Sequence, residues 1–221
     1  MAKRPVLHRD DPDKDPLVGH VKVTRDDWLN VARDILVSDG VAEVKVLAIG
    51  ERLGVSRSSF YWYFKSRKDL LCALLDDWEG RNTAVIVAHC AMEAETITAA
   101  VCNFFRCFMD PGLFDQGLDF AVREWSRRDG QVRNRIDIAD STRIEAVTAM
   151  FLRFGYAPDE ADTRARILYF MQLGYHALDQ TEPMRVRLSR TEGYLRGFTG
   201  TDPRAEEIEA LRADIEATGG A

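Results

Sequence analysis

Gly54-Val55-Ser56-Arg57-Ser58-Ser59-Phe60-Tyr61-Trp62-Tyr63-Phe64 is the stretch that decides the fold. Leu53 suits the last residue of one helix, Gly54 the turn after it, and Ser56 the N-cap of the next helix. That next helix, over 57–63, carries Arg57, Ser58, Ser59, Tyr61, Trp62 and Tyr63 within two turns, while Phe60 and Phe64 face inward. Its free N–H groups and dipole favour anions. A turn followed by such a helix is what a helix-turn-helix needs to lay a recognition helix in the major groove of double-stranded DNA. Between Arg52 and Lys68 the chain has five cations (Arg52, Arg57, Lys65, Arg67, Lys68) and no carboxylate. The whole chain is acidic, with 30 Lys plus Arg against 36 Asp plus Glu. Positive charge is therefore gathered on one small face, as DNA contact requires. On this reading Arg57, Ser58, Ser59 and Trp62 address base edges or sugars. Ser56, Tyr61, Lys65, Arg67 and Lys68 address phosphates.

The ordered positions Ile49-Gly50, Leu53-Gly54-Val55-Ser56, Phe60-Tyr61, Tyr63-Phe64, Ser66-Arg67 and Leu70 resemble the signature of the TetR-type (TetR/AcrR-like) one-component transcriptional regulators. The match covers residues 24–71. Gly50 stands where that family usually has Ala, Lys45 where Thr or Ser often caps the second helix, and Arg67 where Lys is usual. The resemblance implies a DNA operator as partner and a small-molecule effector bound among the middle helices. It also implies a homodimer closed by two C-terminal helices from each subunit. The fourth helix would link the two parts and carry the signal.

Outward from the motif, residues 1–22 are polar, with Pro5, Pro12 and Pro16, and read as a flexible arm. Its Lys3, Arg4 and Arg9 are nearly balanced by four aspartates. Thr24 with Asp27 forms a capping-box pattern opening a helix that Gly40 ends. Helices over 46–53 and 57–63 follow. Ser66 with Asp69 opens a fourth, with a stripe of Leu70, Leu71, Leu74, Leu75 and Trp78. The expected division is an arm over 1–22, a three-helix DNA-binding domain over 23–66, and an effector-binding and dimerisation domain over 67–221. Residues 84–198 show no strand alternation. Pro and Gly pairs divide them into helices near 93–109, 114–128, 131–154, 158–179 and 184–198. A further helix opens at Asp202-Pro203. The fold class is all-α, with about ten helices.

Catalysis finds no support, and no enzyme is expected. The chain lacks a Gly-x-Ser-x-Gly, a phosphate-binding Gly-rich loop and a His-Glu-x-x-His. Its four histidines lack metal-ligand spacing, so neither a metal nor a cofactor is expected. Cys72, Cys90, Cys102 and Cys107 lack Cys-x-x-Cys spacing and read as reduced thiols. No apolar run is long enough to span a bilayer, and a cytoplasmic protein is expected.

Helix 158–179 is apolar on more than one side, which asks for burial on both. One face suits its own domain and the other a second subunit, with Leu168, Met171, Tyr175, Leu188 and Leu195 as interface residues. Large side chains recur between the DNA-binding part and this helix. Phe104, Phe108, Phe120, Trp125 and Tyr169, with Arg123 among them, are the candidates for an effector pocket, mostly apolar with a few polar groups. The function expected is a ligand-responsive regulator, a repressor released from a pseudo-palindromic operator by a small molecule. Two alternatives stand beside it: an architectural DNA-binding protein of the same fold without an effector, and a helical enzyme or carrier. A solid core would favour the former.

Overall fold

The computed structural model describes residues 23–178, apart from Pro111, and residues 183–217. The arm over 1–22, with Lys3, Arg4 and Arg9, lies outside the described residues. All regular structure among those described is helical. Helix α1 (Arg25–Asp39) starts at Thr24, whose hydroxyl accepts from the Asp27 amide while the Asp27 carboxylate accepts from the Thr24 amide. Such a cap satisfies two amides that the first turn leaves free and is worth about 1 kcal/mol. A 3-10 turn (Val41–Glu43) leads into α2 (Val46–Leu53). Lys45 gives α2 no side-chain cap and pairs with Glu43 instead.

Gly54 takes a left-handed conformation (φ 67°), open to a residue without Cβ, and turns the chain into α3 (Arg57–Phe60). The helix expected over 57–63 is thus a single α-turn, extended by turns at 61–63. Gly50 has a different reason. A Cβ there would crowd the Val55 carbonyl oxygen at 3.2 Å, so its absence makes room for the turn after α2, while the Trp28 ring at 3.5 Å would be in ordinary contact.

Helix α4 (Arg67–Trp78) is capped by Ser66, whose hydroxyl accepts from the Asp69 amide. The Asp69 carboxylate reaches the Lys65 amide, one residue before the expected position. A π-turn (Glu79–Thr83) then carries the chain into α5 (Ala84–Ala91), a helix the sequence reading left unassigned. Next come α6 (Ile97–Arg106), α7 (Gln116–Ser126), α8 (Gly130–Arg153) and α9 (Pro158–Ala177). The single helix expected over 184–198 is two, α10 (Met184–Ser189) and α11 (Thr191–Thr199), broken at Arg190. The last is α12 (Ala205–Ala217).

Two cores hold these helices. The first gathers Trp28, Ile49, Phe60, Phe64, Leu70 and Leu74 from α1–α4. It continues past residue 66 into α7 and α8 through Val122, Trp125, Val132 and Ile136, so the N-terminal helices are seated on the larger part. The second core joins α5, α6, α8, α9, α11 and α12 around Phe104, Val147, Phe151 and Ala165. Leu168 and Leu195, expected at a subunit interface, are 0% exposed within this second core and are corrected to core residues. The periodicity was right that α9 is apolar on two sides. The outward side, however, carries Ile167 (54% exposed) and Phe170 (51%).

Candidate nucleic-acid interface and effector cavity

The outer surface of α3 and its flanks presents Ser56, Arg57, Ser58, Tyr61, Trp62, Lys65 and Lys68, all exposed. Trp62 is 85% exposed, although an indole of that area would ordinarily be covered. Arg57 lies over the Tyr61 ring and donates to its hydroxyl at 3.0 Å, so the two side chains form one donor-rich edge. Ser56 sits at the N-cap position of α3, but its hydroxyl meets that of Ser58 (2.7 Å) rather than a backbone amide. Among the described residues no carboxylate pairs with Arg57, Lys65 or Lys68, whereas Arg52 is drawn to Asp39. Among the described residues, Arg57, Lys65 and Lys68 therefore have no counter-ion to offset their charge.

Two expected members are placed elsewhere. The Arg67 guanidinium donates to the carbonyl oxygens of Val44 (2.6 Å) and Val41 (2.5 Å), so it fastens the turn before α2 onto α4. The Ser59 hydroxyl is buried and without a partner, turned away from the outer face. One residue the sequence reading gave no role is structural as well. The Tyr63 hydroxyl donates to the Val23 carbonyl at 2.6 Å and anchors the chain where α1 begins.

Behind this module lies a buried charge network. Trp78, the last residue of α4, donates its indole N–H to Asp119 at 2.8 Å. Arg143 pairs with the same carboxylate at 3.0 Å, both side chains 0% exposed, and its guanidinium lies 5.2 Å over the Trp78 ring. Arg123 takes the other Asp119 oxygen at 2.8 Å and forks onto Asp140, which also accepts from the Tyr169 hydroxyl at 2.6 Å. Asn82, in the π-turn, donates to the Asp115 carbonyl. Burial raises the Asp119 pKa, but Arg143, then Arg123, outweigh it and hold the group down at about 2. One carboxylate thereby ties together α4, α7 and α8, and Asp140 adds α9. A π-turn inside a helix often marks a functional site, and this one lies where α4 meets the network.

A cavity of about 140 Å³ opens among α6, α9, α10, α11 and α12. Phe105, Phe108 and Met171 wall it, and Leu211 and Ile215 of α12 close it. Its polar groups are few: Gln116, Gln172, His176, Thr191, the Tyr175–Tyr194 hydroxyl pair (2.6 Å) and Arg187. His176 Nε2 lies 2.8 Å from the Gln172 amide nitrogen. Burial lowers the His176 pKa to about 4 against the pull of Asp119, with Arg187 and Arg123 adding to the lowering, so the ring is neutral near pH 7. The Phe114 ring stands between cavity and network, 5.7 Å from the His176 ring and 5.9 Å from the Arg143 guanidinium.

Of the expected pocket residues, only Phe108 lines this cavity. Phe104 is solid core, and Trp125 belongs to the first core because α7 packs on α1 and α4. Arg123 and Tyr169 are bound into the charge network, and Phe120 stands 6.5 Å from the His176 ring outside the lining. Met171, Tyr175 and Leu188, expected at a dimer interface, line the cavity. Leu211 and Ile215 recur four residues apart along α12, but nothing in the sequence says which cavity that side closes.

A short helix with exposed cations on it and beside it, set by a glycine turn on a larger helical body, is the arrangement of a helix-turn-helix DNA-binding domain. Residues 29–74 match the family described as bacterial regulatory proteins, tetR family, so this part of the chain carries that family's DNA-binding domain. No curated protein matches the sequence. Among solved structures it is similar to Salmonella enterica GusR, at 16% identity over 88% of this chain and 94% of that one, with a TM-score of 0.55. Mycobacterium smegmatis AmtR gives 18% identity over 91% and 97%, with a TM-score of 0.57. A protein described as a TetR-family regulator from Mesorhizobium loti gives 16% over 88% and 94%, with a TM-score of 0.53. At these identities the likeness is one of fold. No helix among the described residues is long and apolar enough to cross a membrane.

Proposed function

We propose that this DNA-binding regulator acts in the cytoplasm as a homodimeric repressor, released from a pseudo-palindromic operator by a small molecule in the α6–α12 cavity. The observation that carries the ligand reading is the Phe114 ring, seated between the cavity's His176 and the network's Arg143, which itself stacks on Trp78 of α4. At its other end α4 is pinned to the DNA-binding module by Arg67 and by Leu70 and Leu74. A ligand that shifts α9 is therefore one ring away from the helix that aims α3. A differential affinity of a few kcal/mol between the two arrangements suffices for control.

A recognition helix of one turn reads few bases, and two-fold pairing doubles the site, with half-sites about 34–36 Å apart. The exposed Ile138 of α8 and Ile167 and Phe170 of α9 are the apolar side chains we assign to the subunit contact. Footprinting of the purified protein on its own promoter, with a metabolite screen for release, tests the reading. Protection of one symmetric site that a cavity-binding compound abolishes is expected. Binding that no compound in the cavity alters would refute ligand control and favour the architectural alternative.

A further inference from the structure

The cavity also has a chemical preference. Four of its walls are aromatic rings, Phe105, Phe108, Tyr175 and Tyr194, and none of its lining residues is a carboxylate. It has a single cation, Arg187. That guanidinium lies 5.0 Å over the Tyr175 ring, and among the described residues no carboxylate pairs with it. A cation at the edge of an apolar cavity without a counter-ion is poorly compensated, and an incoming anion would be paired there with charge-assisted hydrogen bonds. The neutral His176 beside Gln172 offers polar contact without adding charge. The volume, about 140 Å³, is close to that of apolar cavities that take up benzene (about 150 Å³).

We propose that the cavity takes a flat single-ring aromatic molecule bearing a carboxylate, its ring against Phe105 and Phe108 and its carboxylate on Arg187. This rests on the ligand-controlled reading above and names the class of its ligand. Guanidinium, of all donor groups, suits a carboxylate, because its fork meets both oxygens. Flat rings suit the walls because aromatic faces and edges pair with one another at such spacings.

The test is calorimetric titration of the full chain with four probes: benzoate, benzamide, benzylammonium and hexanoate. We expect benzoate to bind about tenfold more tightly than the amide, the worth of one charge-assisted contact. The ammonium should bind most weakly of the ring compounds, and hexanoate more weakly than benzoate. Arg187→Gln should bring the carboxylate to parity with the amide. Equal or tighter binding of the amide or ammonium to the wild type overturns the proposal, as does parity of hexanoate with benzoate. So does a carboxylate preference that survives Arg187→Gln, or no binding of any probe at millimolar concentration. DNA release is read separately by mobility shift. A benzoate that binds as expected but leaves DNA bound keeps the ligand class and refutes the regulatory reading instead.

Discussion

Asp119→Asn is the substitution that most directly tests the link between the two parts. The change is nearly isosteric, so the cavity term is small, but it removes the charge facing Arg143 and Arg123. Asp119 and Arg143 are both 0% exposed, and neither can recover water. Removing one member of such a buried pair costs about 3–5 kcal/mol, because the other charge is left unpaired. For a chain of this size about 2–4 °C of melting temperature goes with each kcal/mol, so a fall of about 6–20 °C at pH 7 is expected. The acid limb gives a second reading. The folded Asp119 titrates at about 2 against an ordinary 3.8, so its stabilisation is complete above about pH 4 and is lost as pH falls to about 2. That gap corresponds to about 2 kcal/mol, and the variant should lack this share of the acid loss. Scanning calorimetry from pH 7 down to pH 2 measures both. Arg143→Met placed on top of Asp119→Asn should recover part of the loss, since the orphaned cation goes with it. A melting temperature within about 2 °C of the wild type for Asp119→Asn alone would refute the network as the tie between α4, α7 and α8.

Other outcomes follow from the same geometry. Lys65→Ala should weaken binding to all DNA sequences alike and lower the salt slope by about one, in mobility-shift titrations at several salt concentrations. Arg67→Ala should instead cost about 1–3 kcal/mol of stability by freeing the Val41 and Val44 carbonyls, seen as a lower melting temperature with or without DNA. Phe170→Glu should give folded monomers in sedimentation, because the side chain is half exposed, whereas Leu168→Glu should fail to fold. A Phe170→Glu dimer would move the subunit contact elsewhere. Burial pushes the Cys90 and Cys102 thiols up to about 12 and Cys107 well above its usual value, while Cys72 is exposed. Iodoacetamide at pH 8 should therefore label Cys72 alone in the native protein, as mass spectrometry of the peptides would show.

The sequence by itself determined the local structure and the class of protein. Gly54, the Thr24–Asp27 cap, the Ser66 cap and the inward Phe60 and Phe64 act over a turn or two, where side-chain chemistry sets the backbone directly. The cationic patch was legible for the same reason, since its members lie within one short stretch. Tertiary structure decided everything that depends on which apolar face meets which. Periodicity showed that α9 is apolar on two sides. It did not show that Leu168 turns into the protomer core, that Met171 and Tyr175 line a cavity, and that Phe170 stays outside. Arg67 read as a phosphate ligand because its two carbonyl acceptors are more than twenty residues away. Arg123 read as a pocket cation because nothing local reveals that Asp140 and Tyr169, 17 and 46 residues on, converge on it. Helix period fixes the angle of a side chain about its own axis, but packing, which sums over the whole chain, fixes what that side chain meets.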